Sequence, residues 1–349
     1  MSSHPLESCK LAIGRSLNRD AQVPFPELTY LQLSSFDETP PVIPDSFLGG
    51  SAPRLRDFNL DGIPFPGFPT LLLSATHLVQ LRLTDIPHSG YISPEAIVAL
   101  LCALSSLEDL SLKFRSPESR PDWESRSQPP PKRSVLPALK RLHFRGATEY
   151  LENLVTRIDA PQVNILQITF LDLDQIDFDT QRLAQFINRT PKLGKCDEAH
   201  VEFDDRSAHV QFGTLRIFIE CRERDRLLSS IARVCNSSLP STVGDLYIEH
   251  LYLQLFWHDD AIENILWLQL LLPFTAAKNL YLRNEFVPGI AAALQELVGA
   301  RITEVLPSLQ NIFVEGFEPS GPLQENIGQF VAARQLSGHP IAIYDWHKN

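Results

Sequence analysis

A six-residue frame with apolar residues at its first, fourth and sixth positions recurs along the chain and constrains its fold most. The frame begins at Leu28, Leu55, Leu78, Leu107, Leu139, Val163, Val243, Ala277 and Leu309. Because side chains alternate between the two faces of an extended strand, the fourth and sixth positions point into one core. The first position anchors the entering turn, and a proline two residues earlier fixes an extended entry to five of the frames.

One strand and its return segment bury little surface alone, but stacked neighbours form one continuous core. The sequence therefore predicts an α/β fold, namely an irregular leucine-rich-repeat solenoid over residues 25–349. Its parallel sheet is expected on the concave side, with helices and loops on the convex side. Residues 1–24 are predicted as an N-terminal segment that could form a helical cap, and residues 339–349 as a C-terminal cap.

The return segments carry helix signals. Ser93-Pro94-Glu95 supplies an N-cap hydroxyl, a proline at the first helical position and an early acid. Asp259-Asp260 precedes a second apolar helix, which Pro273 ends. We predict further helices near 179–189, 223–235, 288–299 and 322–336.

Two segments depart from the repeat. Residues 115–134 are rich in proline, serine and charge, so we predict a disordered insert. Residues 198–212 alternate apolar and polar side chains around a short polar turn, which predicts a β-hairpin. This elaboration is expected to extend over 198–221.

Composition excludes several classes of function. A formal net charge of −11 argues against a basic stripe that binds nucleic acid. The five cysteines form no Cys-x-x-Cys pair, so we predict neither a disulfide framework nor a zinc site. With no phosphate-binding glycine loop or nucleophile motif, we predict no enzyme, no metal and no cofactor. No apolar run reaches membrane-spanning length, so we expect a protein of the cytoplasm or nucleus, with no membrane partner.

The frames resemble the leucine-rich regions of F-box-like proteins of mushroom-forming fungi over most of the chain, most strongly in PFTAAKNLYLRNEF and ITEVLPSLQNIFVEGF. This resemblance implies protein recognition by the substrate-binding region of a ubiquitin-ligase receptor. A stand-alone leucine-rich-repeat scaffold or regulator is the alternative. Residues 1–24 lack the LPxEIL-like opening of an F-box, so we expect a Skp-type adaptor to bind only if an F-box lies upstream.

The chain also departs from the common leucine-rich consensus at the ninth position of the frame. That position holds asparagine in the consensus, but here several frames place apolar residues there: Phe36, Ile63, Ile86, Leu171, Leu251 and Phe317. An apolar spine is therefore expected in place of an asparagine ladder, with irregular curvature.

Two polar clusters have a catalytic or metal interpretation beside a structural one. The first comprises Glu198, His200, Glu202, Asp204, Asp205 and His209. These could ligate a metal, but a solvated strand face has the same pattern, and the histidines lack a tight ligand spacing. The second, His258-Asp259-Asp260 with Glu263, resembles an acid-base group, yet helix capping already accounts for its aspartates.

The candidate binding residues lie at the third, fifth and seventh positions of the frames, which point away from the core. Repeats three to five place five basic side chains there, with Asp109 among them: Arg82, Lys113, Arg141, His143 and Arg145. An acidic peptide could bind this set. Alternatively, Asp57, Asp61 and Asp109 neutralise the surface.

The last three frames hold aromatic residues at the fifth position, namely Tyr247, Tyr281 and Phe313. Aromatic side chains that face solvent on adjacent strands are typical of binding hot spots. Alternatively, Trp346 or the tail IAIYDW folds back and covers them.

The insert at 115–134 gives the first testable prediction. Its side chains bury too little apolar surface to offset the entropy lost on ordering. Limited proteolysis should therefore cut within it first, and deleting it should change the melting temperature little. Protection of this segment, or unfolding upon its deletion, would contradict the repeat assignment around it.

Overall fold

The computed structural model describes residues 8–12, 25–35, 43, 47–64, 70–116, 132–171, 180–193, 196–204, 207–221, 224–238, 242–250, 263–297, 299–316 and 322–346. The chain divides into two compact units. Unit 1 comprises residues 1–171 and 182–192, and unit 2 comprises residues 172–181 and 193–349. The frames, which predict a single solenoid over 25–349, give no indication of this division.

Unit 1 is built on parallel strands. Its strands, numbered in chain order, are β1 (Ser8–Ala12), β2 (Tyr30–Ser34), β3 (Asp57–Asp61), β4 (Gln80–Ile86), β5 (Asp109–Phe114), β6 (Ser134–Val135), β7 (Arg141–Gly146), β8 (Ile158–Asp159) and β9 (Ile165–Phe170). The main sheet has the order β1-β2-β3-β4-β5-β7-β9, and each pair of neighbouring strands is parallel. The two-residue strands β6 and β8 pair separately.

Helices return the chain between these strands. They are α1 (Thr70–Ser74), α2 (Pro94–Ala103), α3 (Thr148–Arg157) and α4 (Gln181–Asn188), with short 3₁₀ turns at Phe47–Gly50 and His88–Gly90. The predicted cap of α2 is confirmed, because the Ser93 hydroxyl accepts a hydrogen bond from the Ala96 amide at 3.2 Å. The Glu152 carboxylate on α3 accepts bonds from the amides of Arg182 and Leu183 on α4, at 2.9 and 2.8 Å.

Unit 2 combines a meander with parallel strands. Its elements are β10 (Glu198–Asp204), β11 (Ser207–Phe212), β12 (Leu215–Glu220), α5 (Arg224–Ser238), β13 (Asp245–His250), α6 (Asn264–Leu271), β14 (Asn279–Leu282), α7 (Val287–Gln295), β15 (Asn311–Glu315), α8 (Pro322–Leu336) and β16 (Ala342–Trp346). Its strands have the order β12-β11-β10-β13-β14-β15-β16. The pairs β12-β11 and β11-β10 are antiparallel, and the pairs from β10 to β16 are parallel.

Each frame coincides with a strand, and the parallel sheet that the frames predict is present in each unit. All nine frame-bearing strands begin at the third position of their frame. Their first, fourth and sixth positions are buried; the fourth positions in unit 1 are at most 1 % exposed. The mixed α/β arrangement, with helices α5 to α8 packed in succession on unit 2, is consistent with a leucine-rich-repeat-like fold.

Some local expectations differ from the structure or lie outside the part that it describes. Residues 8–12 form a strand that pairs with β2, not the helix expected of a cap in residues 1–24. Strands β10, β11 and β12 occupy the segment 198–221 for which we predict a hairpin elaboration. Within the C-terminal segment 339–349, residues 342–346 form strand β16.

Two further expectations fall mostly on residues that the structure leaves undescribed. These are the insert, of which 117–131 lie outside the described residues, and the Asp259-Asp260 cap. The described part of helix α6 begins at Asn264, with Glu263 at the cap position but no side-chain cap bond, and it ends before Pro273. Among the described residues, no helix has the length and apolar character needed to cross a membrane.

Arg334 attaches helix α8 to the last repeat of unit 2. Its side chain is 0 % exposed and donates hydrogen bonds to the carbonyl oxygens of Ile302, Leu306, Pro307 and Leu309 at 3.2 to 3.4 Å. Burial lowers the pKa of its guanidinium from the ordinary value. The carbonyl dipoles supply the polar contacts that a buried charge requires.

We therefore expect Arg334→Ala to lower the free energy of unfolding by about 3 kcal/mol, because four carbonyl groups lose a charged donor. Urea denaturation of the whole chain measures this change. Gln335→Ala, at the exposed neighbouring position on the same helix, is the matched control and should cost at most about 0.5 kcal/mol. Equal midpoints for the two variants would contradict the role assigned to Arg334.

Candidate functional site

Each unit has an open sheet face, which we define as the face that carries the third, fifth and seventh frame positions. The burial pattern alternates along most strands, with buried residues at the fourth and sixth positions and half-exposed residues between them. Strand β5 is the exception, because Asp109 and Ser111 are buried on its open face.

In unit 1, two of the predicted basic residues bind one buried carboxylate. Arg82 Nη2 lies 3.3 Å and Arg141 Nε 3.1 Å from the Oδ2 atom of Asp109. Asp109 is 4 % exposed, and its Oδ1 atom accepts no hydrogen bond. The alternative interpretation of the basic set is thereby supported at these two positions, since Asp109 offsets their charge.

The remaining basic residues are close in register. Lys113 is directly opposite Arg145, and both are half-buried. Burial lowers the pKa of the His143 imidazole, although Asp109 and a hydrogen bond with Gln167 oppose the shift; Lys113 and Arg141 add to it. Asp61 binds the Thr84 hydroxyl at 2.7 Å. The positive charge of this face is therefore weaker than the sequence indicates.

In unit 2, the predicted aromatic residues stack in register. Centroid distances are 4.2 Å between Tyr247 and Tyr281 and 4.5 Å between Tyr281 and Phe313, with rings within 9° of parallel. The stack continues to His200 on β10 at 4.4 Å and to Tyr344 on β16 at 5.2 Å. We call these five residues the aromatic ladder.

A polar row follows one side of the aromatic ladder. The Asn279 amide donates to Asp245 Oδ1 at 2.6 Å, and the Asn311 amide donates to Asn279 Oδ1 at 2.7 Å. Glu198 occupies the same row on β10, opposite Asp245. These bonds hold the strand ends in register and place two carboxylates beside the rings.

The other side of the aromatic ladder is also acidic. Glu202, Glu249 and Glu315 occupy this row, together with Arg283, whose guanidinium lies 3.4 Å from the Glu315 carboxylate. Glu202 also lies 3.5 Å from the buried His209, whose ring stacks on Phe218. Carboxylates thus flank the rings on both sides.

Trp346 lies across part of the aromatic ladder. Its ring is edge-on to Tyr281 at 5.5 Å and tilted against Tyr247 at 6.1 Å. The tail that contains it is strand β16, which pairs with β15 rather than folding over the face. Tyr344 remains 48 % exposed. The ladder is therefore partly covered by Trp346 but is not closed by the tail.

Two central tyrosines of the ladder, Tyr247 and Tyr281, have pKa values above the ordinary value. Burial raises the pKa of both Tyr247 and Tyr281, and the charges of Asp245 and Glu198 raise both further. The hydroxyl end of the ladder thus lies in a negative potential.

The structure describes only part of the two polar clusters. His200 belongs to the ladder and lies 3.7 Å from Glu198, and Glu202 faces His209. Asp205 lies outside the described residues, as do His258, Asp259 and Asp260. Where the structure describes the chain, no cluster of His, Cys, Asp and Glu could hold a metal ion.

The sequence reasoning missed His200 and Tyr344 as ladder members. Residues 196–201 fit the frame as Cys196-x-x-Ala199-x-Val201, and His200 is then its fifth position. Strand β16 pairs in register with β15, so Tyr344 lies opposite Phe313 and occupies the fifth position of a frame. The sixth position of that frame is the polar residue Asp345, which hides the pattern in the sequence. A search that also admitted cysteine at the first position and alanine at the fourth would have found His200.

The shared carboxylate of unit 1 gives a stability prediction. Asp109→Asn should lower the free energy of unfolding by about 2 kcal/mol, because two arginines lose their counter-charge around a buried group. Asp57→Asn, on the open face of β3, should change it by at most about 0.5 kcal/mol. Urea denaturation at low and high salt tests this, and an unchanged midpoint for Asp109→Asn would contradict the pairing.

Comparisons with known proteins complete the description. No protein-family model and no curated protein matches the chain. Among solved structures, the chain is similar to the leucine-rich repeat-containing protein LegL7 from Legionella pneumophila. The two chains are 16% identical, with 95% of this chain and 98% of LegL7 covered and a TM-score of 0.38. This similarity is too weak to establish the fold, which is therefore assigned from the frames and the strand pairing of this chain.

Proposed function

We propose that the protein is a protein-recognition module whose partner binds the open face of unit 2. The observation that carries the proposal is the aromatic ladder, which places five stacked rings in one row on a sheet face. Aromatic side chains contribute large contact areas with little loss of conformational entropy, and they dominate binding hot spots. No step of catalysis is needed to explain their arrangement.

The open face of unit 1 is the second candidate surface. Lys113 and Arg145 support it, since they lie side by side and half-exposed. Asp109 weighs against it, because it reduces the charge that an acidic partner would encounter. We therefore rank the aromatic ladder above the basic set.

The finer role that we propose is the substrate-binding region of an F-box-type ubiquitin-ligase receptor. Its support is the sequence resemblance to F-box-like proteins of mushroom-forming fungi. The alternative is a stand-alone scaffold or regulator unrelated to ubiquitin. Pull-down of a purified Skp-type adaptor distinguishes them when performed both with this chain and with the full product of its gene.

We expect residues 1–349, which contain no LPxEIL-like motif, not to bind the adaptor directly. Binding by the full gene product would support the receptor role, and failure of both would favour the scaffold. Stoichiometric binding to residues 1–349 would show that a docking element other than the F-box motif is present.

Two double variants test which face recognises the partner. Partners captured from native lysate by the wild-type chain should be lost with Tyr281→Ala/Phe313→Ala, where we expect a loss above about 2 kcal/mol for a hot spot. Arg141→Glu/Arg145→Glu should reduce capture only if the basic set contributes, and that effect should weaken with salt. Mass spectrometry and quantitative binding give the readout.

Matched controls separate binding from folding. Tyr30→Ala removes an aromatic residue from the open face of β2, and Arg226→Glu/Arg233→Glu reverses two charges on α5. Both should capture the same partners as the wild type, and all variants are compared by thermal denaturation. Unchanged capture by both test variants would show that neither open face is the binding surface.

A further inference from the structure

We propose that the open face of unit 2 binds an extended, positively charged segment of another protein, with arginine or lysine residues spaced around an apolar or aromatic one. This inference rests on the proposed function and adds the chemical class of the partner. It is based on the aromatic ladder and on the charges that flank it on both sides.

The rings of the aromatic ladder present their edges outward. Because neighbouring rings are stacked at 4.2 to 4.5 Å from His200 to Phe313, each ring face is covered by the next. The ladder therefore offers ring edges and hydroxyl groups to a partner and not open faces for a cation. An apolar or aromatic side chain laid across the edges fits this surface.

Trp346 shows how such a side chain is accommodated. Its ring is 64° from the plane of Tyr281 and 56° from that of Tyr247, so it lies across the edges of both. A partner ring, or the flat stem of an arginine, can make the same contact further along the row towards His200. Trp346 therefore already makes, within the chain, the ring-edge contact that we infer for the partner.

The carboxylates beside the aromatic ladder favour a positively charged partner. Glu198 and Asp245 lie on one side of the aromatic ladder, and Glu202 and Glu315 lie on the other, where Arg283 pairs with Glu315 and Glu249 is buried. Burial is the largest cause of the raised pKa values of Tyr247 and Tyr281, and the charges of Asp245 and Glu198 raise both further. An acidic segment would be repelled on both sides, whereas a basic one gains attraction on both.

The dimensions fit a short extended segment. Five strands at the usual spacing of about 4.8 Å make a row about 19 Å long, which about six extended residues can span. A segment that crosses the strands can place a basic side chain on either side of the row, because successive side chains of an extended chain alternate.

A peptide-display selection on the full chain tests the proposal. The probe is a random library of twelve-residue peptides, followed by binding measurements with the strongest synthetic peptide. We expect the selected sequences to be rich in arginine and lysine, with an aromatic or aliphatic residue between them. Binding should change the fluorescence of Trp346, and Trp346→Phe should lose that change.

The decisive variant is Glu198→Gln/Asp245→Asn, which removes two charges but leaves an amide oxygen to accept the Asn279 hydrogen bond. We expect it to weaken peptide binding about tenfold, and less at high salt. Asp225→Asn, an exposed acid on α5 of the same unit, is the matched control and should bind as the wild type does. Circular dichroism verifies that all variants are folded.

The outcomes separate this inference from the proposed function. Selected peptides that are acidic or uncharged, or that bind the charge-neutralised variant as well as the wild type, would overturn the inference. Peptides that respond only to Arg141→Glu/Arg145→Glu would overturn it while leaving protein recognition intact. The absence of any binding peptide would also overturn the inference. The proposed function would be contradicted as well only if Tyr281→Ala/Phe313→Ala and Arg141→Glu/Arg145→Glu both captured the same partners from lysate as the wild type.

Discussion

In-register pairing of parallel strands is the constraint on which the rest of each unit depends. The fourth frame positions pair with each other from Leu31 on β2 to Leu166 on β9, and again from Leu246 on β13 to Ile312 on β15. A shift by one residue would turn every apolar side chain out of the core. Burial of the frames therefore fixes the register, and the register fixes what the open face presents.

The aromatic ladder is a consequence of that register. Residues at the fifth position lie side by side on neighbouring strands. Aromatic residues at this position in successive frames therefore stack on one another. The same rule gives the hydrogen-bonded row of Asp245, Asn279 and Asn311 at the third position. Open-face chemistry can thus vary between repeats while the core remains the same, which suits a scaffold for recognition.

The open faces of the two units differ in how their charges are used. In unit 1, Asp109 is buried between Arg82 and Arg141, so part of the basic character is neutralised within the sheet. In unit 2, carboxylates flank rings whose faces are already covered by one another. Because the ring faces are stacked, a partner would meet ring edges and nearby carboxylates, and for this reason we propose that the partner binds there.

Much of the fold and part of the site follow from the sequence alone. The frames specify where nine strands begin, which residues are buried and that Tyr247, Tyr281 and Phe313 are adjacent, because side-chain alternation and apolar burial are local properties of a strand. The tertiary structure decided the pairing of Asp109 with two arginines, the burial that lowers the pKa of His143 and the division into two units. It also decided the extension of the ladder to His200 and Tyr344, and the position of Trp346. These features depend on which strands become neighbours and on which groups lose contact with water. Strand β10, for example, pairs with β13, although β11, β12 and α5 lie between the two strands in the sequence.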